Sequence, residues 1–485
     1  MIKFISCRGV ALLSLIIAML STSLSLTASE LDRYVSPANR ATAECSDATF
    51  LRRTYLLLTG ELPSITETRA FLADRSPQHR AELIDTLVAS EESTRYMQMR
   101  WGDILRIKSE FPSNLWPNGV QAYNSWLYHH LLRNTPYDEM VRDLLLSTGS
   151  NFKAPAVNFY RAFLDRSPQT IYANINLLFL GQRTTTDNGA DCFSQLRYKS
   201  TKEWKEEIVY LDVNTPSHTP DVTLADGTRL ALPDRGDWRT AYVDWLTTQE
   251  QFAGVMVNRL WFWIFGRGLV DEPDDWRADN PPMEAKLLKH LTTYFIESGY
   301  DCRKLLTYIL NSNTYQSAAK EGSLFEARRL PAEVIIDALA DITGVCESYQ
   351  SRVPEPFTTY PQGSRSRDLG DATVSSSALE LFGKVSRDVS LESQRNNSIT
   401  ARQLLYLMNS TDLESKIRRS PLLKKIKGRK LSPTEQVKLL TLAILARPAT
   451  AREVDLFVNY AESSSTLAVD IIWTLINSNE FLYIY

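Results

Sequence analysis

The sequence predicts a mainly α-helical fold, with two helical domains and a small β-hairpin insert at the seam between them. Helix-start patterns and helical periodicity recur on both sides of residues 184–236. Within that stretch, residues 208–213 have the composition of a strand, and 222–232 has a hairpin pattern with Asp226-Gly227 at its turn. We therefore divide the chain after the N-terminal segment into a helical domain at 30–183, a β insert at 184–236 and a second helical domain at 237–485.

Residues 1–29 have the pattern of an export signal. The segment starts with basic residues, and 10–26 is an apolar run with small residues near its end. We expect cleavage after Ala28 or Ser29 and a periplasmic or secreted protein. The alternative is an uncleaved N-terminal anchor, because the apolar run approaches the length that spans a bilayer. No later segment of the sequence is apolar enough to cross a membrane.

Each helix of the first domain is predicted from its own start and stop residues. Residues 50–58 are amphipathic and end before Gly60. Ser64 and Glu67 have the spacing of a capping box, and Pro77 suits the first position of the next helix. Further helices are predicted at 95–107, 121–132, 137–146 and 168–180.

The second domain is organised around residues 255–282. Its first part, 255–265, is apolar on almost every face, which predicts a helix in the middle of the fold. Gly266 and Gly268 supply a C-cap and a turn. An acidic loop at 271–279 follows this turn, with five carboxylates within nine positions.

Arg259 is the residue of this helix that most needs a partner, because an unpaired buried guanidinium is strongly destabilising. The nearest carboxylates in sequence are in the acidic loop, so we predict that Arg259 pairs with Asp274 or Asp275 and fastens the loop to the helix. The candidate cluster, structural or functional, consists of Asn258, Arg259, Trp261, Arg267, Asp274, Asp275 and Arg277. The alternative is a calcium site, but the carboxylate spacing matches no EF-hand, and we predict no metal.

The later part of the second domain combines helix starts with two irregular stretches. Capping boxes at Ser432 and Thr450 start two helices. Residues 345–378 are rich in Ser, Pro, Gly and charge, which predicts a long surface excursion. Residues 414–430 are predicted to be a basic, mobile connection.

Four cysteines remain once the predicted signal is removed, and export makes their oxidation expected. Their spacings match neither a zinc site nor a redox pair. Three pairings are possible. We predict that Cys45 pairs with Cys192 and that Cys302 pairs with Cys346, because each pair joins cysteines of the same half of the chain.

Charge and composition bear on the class of function. The net charge of −3 offers no global basic surface for nucleic acid. Ten tryptophans against five histidines fit a well-packed scaffold better than a histidine-rich metal enzyme, and no serine-hydrolase elbow motif occurs. The arginines Arg365, Arg367, Arg387 and Arg395 are candidates for contact with an anionic glycan, and the alternative is a solvated basic loop.

Several motifs, taken in their order along the chain, are similar to those of a known family. In the first half these are residues 50–63, 80–90 and Trp101-Gly-Asp103. In the second half they are residues 257–261, 265–268, 274–275, 280–282, 309–312 and 473–481. In this order they resemble an exported bacterial family of paired domains of unknown function, often named after a planctomycete cytochrome C module that some members carry. The resemblance implies export and a fold, but no established activity.

One segment departs from that family. Many members carry Cys-x-x-Cys-His after the last helix of the first domain, whereas residues 181–204 here keep only Cys192 and Trp204. Covalent haem needs two thiols and an axial histidine. We therefore predict no haem and no other cofactor.

These observations leave three hypotheses for function. The first is an exported, non-catalytic scaffold or interaction protein that works with a co-exported partner. The alternative is a binding protein or enzyme that acts on sulfated polysaccharide, with the β insert and its arginines as the site. The third is a redox protein, which the missing haem motif disfavours.

Overall fold

A computed structural model describes residues 30–37, 39, 43–110, 112–184, 187–203, 205–215, 221–277, 279–319, 324–351, 353, 360–462 and 464–485. The predicted signal, residues 1–29, lies outside these ranges. The described fold is mainly helical, as the sequence predicts. Over the same ranges, no helix combines the length and the apolar character that crossing a bilayer requires.

Helices with identifiable caps build the first half of the chain. They are Asp47–Leu58, Ile65–Ala73, His79–Val88, Glu91–Ile104, Pro117–Leu132, Tyr137–Leu146, Asn158–Arg161 and Pro168–Leu180. The predicted capping box is formed, since the Glu67 amide donates to Ser64 Oγ and the Ser64 amide donates to Glu67 Oε2. This reciprocal bonding fixes the start of the second helix.

The second half is also helical. Its helices are Arg239–Thr248, Glu250–Phe265, Ala285–Glu297, Cys302–Leu310, Asn313–Gln316, Ala332–Thr343, Ser377–Leu381, Ala401–Asn409, Thr411–Arg418, Pro421–Arg429, Pro433–Leu445, Ala451–Ala461, Leu467–Ile476 and Asn479–Leu482. The capping boxes predicted at Ser432 and Thr450 are formed. The prediction of a mobile connection at 414–430 is wrong, because Ser410 and Ser420 each accept a backbone amide and start a helix there.

The β structure of the described residues consists of short antiparallel pairs. Glu207–Leu211 is the central strand of a three-stranded sheet, flanked by Gly149–Ser150 and Leu196–Ser200. The predicted hairpin is confirmed, with Asp221–Thr223 paired to Arg229–Ala231. Two further pairs join distant segments: Arg328–Arg329 with Tyr483–Ile484, and Gln350–Ser351 with Val374–Ser375.

The predicted division into two helical domains is not confirmed, because a single apolar cluster runs through both halves of the chain. It includes buried side chains from Leu31 to Ile484. At one point of contact, Trp101 of the first half packs edge-on against Trp263 of the second, with ring centroids 6.2 Å apart. The two halves therefore share one hydrophobic core.

Two buried arginines on the first helix strengthen the contact between the halves. Arg52 Nη2 donates to the carbonyl oxygen of Phe481 at 2.9 Å, and Arg53 Nε donates to that of Tyr485 at 3.0 Å. Arg53 Nη1 also donates to the carbonyl oxygen of Ser317 at 2.9 Å. Because these oxygens replace water lost on burial, the contacts hold the strand Tyr483–Ile484 against the first helix.

The predicted surface excursion at 345–378 is wrong for its later part. Asp371 is buried and accepts a hydrogen bond from the Ser109 amide at 3.0 Å. The amide of Ser366 donates to the buried carboxylate of Asp337 at 2.7 Å. Polar residues typical of a surface loop therefore serve here as internal hydrogen-bonding partners.

The predicted disulfides are not formed, and all four cysteines are free thiols. The backbone amide of Cys45 donates a hydrogen bond to the carbonyl oxygen of Gln316, whereas Cys192 lies in the short helix Ala190–Phe193. Cys302 starts a helix, while Cys346 is exposed beyond the end of another. The two cysteines of each predicted pair therefore lie on different elements of the fold. Burial raises the pKa of Cys192 and of Cys302 to about 12, which keeps these thiols protonated.

Candidate functional site

The helix Glu250–Phe265, here named the central helix, lies in the core as its sequence predicts. Every residue from Phe252 to Trp261 is buried. Gly266 ends the helix in the left-handed region at φ +79°, and a Cβ there would come within 2.5 Å of Arg328 Cδ. Only glycine fits both demands at this position. Arg328 can therefore approach the end of the helix, where its Nη2 donates to the carbonyl oxygens of Trp263 and Ile264.

Asn258 fixes the direction in which the chain leaves the central helix. Its side chain is buried and makes two bonds to the backbone of Val270: Nδ2 donates to the carbonyl oxygen at 3.1 Å, and Oδ1 accepts from the amide at 2.9 Å. Both polar groups of the amide are thus satisfied inside the core. Asn258 holds the segment after the glycine turn against its own helix.

The predicted pairing of Arg259 with Asp274 is confirmed. Arg259 is fully buried, and its Nη2 lies 3.1 Å from Asp274 Oδ1 and 2.9 Å from the carbonyl oxygen of Leu178. The other carboxylate oxygen of Asp274 accepts from the Glu392 amide at 2.6 Å. One ion pair therefore joins the central helix to the acidic loop, to the helix Pro168–Leu180 and to a segment more than a hundred positions later.

The rest of the predicted cluster divides between surface and core. Arg267 pairs with Asp271 at 3.2 Å, and Arg277 pairs with Asp275 at 2.9 Å, both at partly exposed positions. Trp261 instead stacks on Phe265 within the core, with ring centroids 4.0 Å apart. Four of the five carboxylates of the loop are thus used in ion pairs with arginine. Over the described ranges, no group of three or more His, Cys, Asp or Glu side chains is placed to hold a metal ion.

Trp276, which the sequence analysis did not select, docks the acidic loop. Its amide donates to the carbonyl oxygen of Gly181 at 2.8 Å. Its ring lies 2.8 Å from where a Cβ of Gly254 would stand. Gly254 therefore makes room in the central helix for the indole, which explains a glycine in the middle of a buried helix.

Glu392 is a buried carboxylate beside the Arg259 pair that the sequence analysis also missed. Its Oε1 accepts from Trp263 Nε1 at 2.6 Å. Burial raises the pKa of Glu392 to about 7; Arg100 opposes this rise and Asp274 adds to it. The group therefore changes charge near neutral pH.

We expect Glu392→Gln to remove a pH dependence of stability. The unfolded pKa of glutamate is about 4.3, so the raised folded pKa makes the wild type lose stability as pH rises from that value through about 7. Glutamine keeps the neutral shape and the acceptor for Trp263. Urea unfolding at pH 5 and pH 8 should show the wild type losing roughly 2 kcal/mol relative to the variant between these pH values. Parallel pH profiles of the two proteins would contradict this prediction.

A second set of buried charges, here named the buried charge network, joins the two halves of the chain. Asp103 accepts from Arg387 Nε at 2.9 Å and from Arg395 Nη2 at 2.7 Å, and Arg395 Nη1 donates to Glu333 Oε2 at 2.8 Å. Burial acts to raise the pKa of Asp103, but the charges of Arg395 and Arg387 outweigh it and hold the pKa below its usual range. Asp103 is therefore ionised in the core.

The close approach of Arg387 explains why residue 102, directly before Asp103, is a glycine. A Cβ at this position would lie 2.9 Å from the guanidinium carbon of Arg387. Without it, Arg387 lies flat against the helix, and its Nη2 reaches the carbonyl oxygen of Met99 at 3.2 Å. The Trp101-Gly-Asp103 motif thus supplies an aromatic contact, a gap and a charge for the other half of the chain.

The four arginines proposed as glycan contacts prove to be structural. Arg387 and Arg395 belong to the buried charge network, and Arg367 pairs with Glu61 at 2.8 Å while only 4% exposed. Arg365 pairs with Glu61 at 3.0 Å and with Asp341 at 3.0 Å. Carboxylates of the fold thus pair with all four arginines, and the solvated basic loop is not formed at the buried Arg367, Arg387 and Arg395.

A polar cleft of 880 Å³, here named the serine-lined cleft, opens among the described residues of the second half of the chain. Six aliphatic hydroxyls line it, together with one tyrosine ring and several charged groups. Its polar lining includes Ser348, Ser351, Thr373, Ser375, Ser376, Ser377, Tyr406, Glu347, Glu380, Asp412, Lys416 and Arg419. No local sequence pattern indicates this site, because a run of serines has the same composition as a surface loop.

The charges of the serine-lined cleft are partly used within it. Lys416 bonds to Glu347 and lies 2.7 Å from Asp412. Among the described residues, the exposed hydroxyls of Ser348 and Ser377 have no hydrogen-bonding partner. The cleft therefore offers two free hydroxyl groups beside one lysine that is paired with two carboxylates.

The region that departs from the haem-bearing pattern packs as part of the core. Cys192 and Phe193 are buried, and the Phe193 ring lies 5.4 Å from that of Tyr242. Trp204 lies outside the described residues. The single thiol at this place is fully buried.

The fold and its buried charges define a mainly helical protein whose two halves are joined by a common core. Residues 238–461 match the model of PSD1, a protein of unknown function (DUF1553), and residues 31–196 match that of PSCyt2, a protein of unknown function (DUF1549). The chain belongs to the family that pairs these two domains. None of the curated proteins or solved structures compared with the chain matches it.

Proposed function

We propose that the protein is an exported, non-catalytic binding protein and that it binds carbohydrate in the serine-lined cleft. The observation that carries the proposal is the set of hydroxyls around this cleft, from Ser348 to Ser377. A hydroxyl both donates and accepts hydrogen bonds, which matches the mixed donors and acceptors of a sugar. The volume of the serine-lined cleft is within the range of small-ligand sites.

Tyr406 adds an aromatic surface to the polar wall. Its ring lines the cleft and is held by an edge contact to Phe382 at 5.9 Å. An aromatic ring gives a flat apolar contact beside a polar group. A ring beside hydroxyls fits a ligand with an apolar face and a polar edge, as a pyranose has.

The non-catalytic assignment rests on how the reactive groups of the cleft are engaged. Lys416 is held between two carboxylates, so its ammonium is charge-balanced. Among the described residues that line the cleft, there is no histidine to activate one of the serines. The side chain of Ser376 accepts the Leu379 amide and caps a helix instead. These contacts favour recognition over acyl transfer.

Filling the serine-lined cleft should abolish carbohydrate binding. We expect Ser377→Trp and Ser348→Trp each to weaken binding of the best ligand in a panel of neutral and charged oligosaccharides by about tenfold or more. Both positions are exposed, so the melting temperature should change little. Titration calorimetry measures the binding. Ser465→Trp, also exposed but outside the cleft, is the control and should bind as the wild type does. Equal binding by the cleft variants, or no binding by the wild type, would contradict the proposal.

A second candidate function is a scaffold for a co-exported protein partner, favoured by exposed apolar side chains on three neighbouring helices. These side chains are Leu404, Leu405, Met408, Leu456, Tyr460 and Trp473. Asn477 Nδ2 donates to the carbonyl oxygens of Trp473 and Leu407, which brings two of the helices together. A wild type that binds no sugar but forms a stoichiometric complex through Leu405 and Met408 would support this candidate instead.

A further inference from the structure

A strongly basic stretch begins at the rim of the serine-lined cleft. No acidic residue occurs between Glu414 and Glu435, whereas eight lysines and arginines do. The chain as a whole has a net charge of −3. Because charges farther apart than about 10 Å are screened at moderate salt, this local excess determines what the surface attracts.

The helix Pro421–Arg429 carries three lysines away from its buried side, and two further cations lie at its exposed C-terminal end. Ile426 is buried, and Leu422 and Leu423 are half-buried, so they form the inner side. At 100° per residue, Lys424 and Gly428 lie about 160° from Ile426. The name basic face is used here for Lys424, Lys425, Lys427, Arg429 and Lys430.

The basic face has no counter-charge in the described structure. Among the described residues, none of its five side chains lies within ion-pair distance of a carboxylate. Cations in the last turn interact favourably with the carbonyl end of a helix. That effect does not account for Lys424 and Lys425, which precede the last turn. Like charges at this spacing repel one another, so the face is suited to an external anion.

Gly428 lies in the middle of the basic face without a packing reason. A Cβ at this position would meet no atom within 4 Å. Glycine inside a helix is destabilising relative to alanine. Its absence of a side chain leaves the helix surface open one turn after Lys424, where a ligand can approach closely.

The serine-lined cleft and the basic face are continuous along the chain and in space. Arg419 lines the cleft and is exposed. Two residues later, Pro421 begins the basic helix, and its Cδ lies 2.8 Å from where a Cβ of Gly344 would stand. Val345 and Cys346 of the cleft follow Gly344 directly. A linear ligand in the cleft can therefore extend past Arg419 onto the basic face.

We infer that the ligand is a sulfated polysaccharide, with sugar hydroxyls in the serine-lined cleft and sulfate groups on the basic face. The inference rests on the proposed function for the sugar, and on the basic face for the charge. Five clustered cations without counter-charges match a densely charged chain. Ammonium and guanidinium groups both form charge-assisted hydrogen bonds to anionic oxygens.

Other anionic partners fit the basic face less well. A membrane surface would need exposed large apolar side chains to insert, and those of this helix face inward. Single-stranded nucleic acid would need aromatic side chains for base stacking, and the helix carries none. An acidic polypeptide would use the charges but not the adjoining hydroxyls.

The test compares dextran sulfate with poly-glutamate and with phosphatidylglycerol vesicles as probes. We expect the wild type to bind dextran sulfate, and Lys424→Gln/Lys425→Gln/Lys427→Gln to weaken it about tenfold or more at roughly 0.1 M salt. Glutamine keeps helix propensity. Lys199→Gln/Lys286→Gln/Lys289→Gln removes three exposed charges elsewhere and should bind as the wild type does. Equal weakening by both triple variants, or equal binding of poly-glutamate or vesicles, would overturn the inference.

The cleft variant Ser377→Trp separates this inference from the proposed function. If it and the basic-face variant both weaken dextran sulfate binding, both proposals are supported. If only Ser377→Trp weakens it, the sulfate assignment fails and the carbohydrate site stands. If only the basic-face variant weakens it, the carbohydrate site in the cleft fails, and with it the assignment of the ligand to both surfaces.

Discussion

Asp103→Asn is expected to lower the free energy of unfolding by about 3–5 kcal/mol. Asparagine keeps the shape of the side chain but removes the charge that balances Arg387 and Arg395. Both guanidinium groups are 3% exposed, so water cannot replace the lost carboxylate. Glu333 then remains as the carboxylate of the network and contacts Arg395 only. Urea unfolding measures the loss.

Glu297→Gln is the matched control for Asp103→Asn, because it also converts a carboxylate to an amide but at an exposed position. We expect it to change the free energy of unfolding by less than about 0.5 kcal/mol. If Asp103→Asn fell in the same range as this control, the buried charge network would not stabilise the joined halves.

Arg259→Met is expected to lower the free energy of unfolding by about 3 kcal/mol or more, because Asp274 would keep its buried charge without a partner. Methionine fills most of the volume, so packing changes little. Arg259→Lys should recover part of the loss, since both contacts of Arg259 pass through one nitrogen. The planar guanidinium is lost, however, and the lysine side chain is shorter. Thermal and urea unfolding measure all three proteins.

Arg267→Met, eight positions later, controls for the loss of an arginine. Arg267 is 55% exposed and its pair with Asp271 is at the surface, so the expected change is within about 1 kcal/mol. An Arg259→Met protein that melts with the wild type but has lost ligand binding would contradict the structural role and assign Arg259 to a binding site.

The contact between Arg259 and Asp274 was predictable because both residues lie in one short stretch. A charge on an otherwise apolar helix needs a partner, and the glycine turn leaves few places for the next carboxylates to go. The same argument applies to Glu333 and Asp337 on the apolar helix Ala332–Thr343, and it would have identified both as buried charges.

The identity of distant partners was not predictable in this way. Asp103 and Arg387 are 284 positions apart, and nothing in either local pattern indicates the other. The loop composition of residues 345–378 also gave a wrong prediction of a surface excursion, because polar residues favour loops whether they face water or a buried carboxylate. Local patterns fixed the helix starts well, since a cap depends on neighbouring residues alone.

The arginines of the first helix carry a consequence for the order in which the chain folds. Arg52 and Arg53 are synthesised early in translation, whereas their acceptors at Phe481 and Tyr485 lie 429 and 432 positions later in the chain. Contacts at such separation require the closure of a very long loop and form late. Until then the two guanidinium groups of the first helix lack these carbonyl acceptors. Completion of the native state therefore waits for the far segment, and the intermediate before it is the species most open to aggregation or chaperone capture.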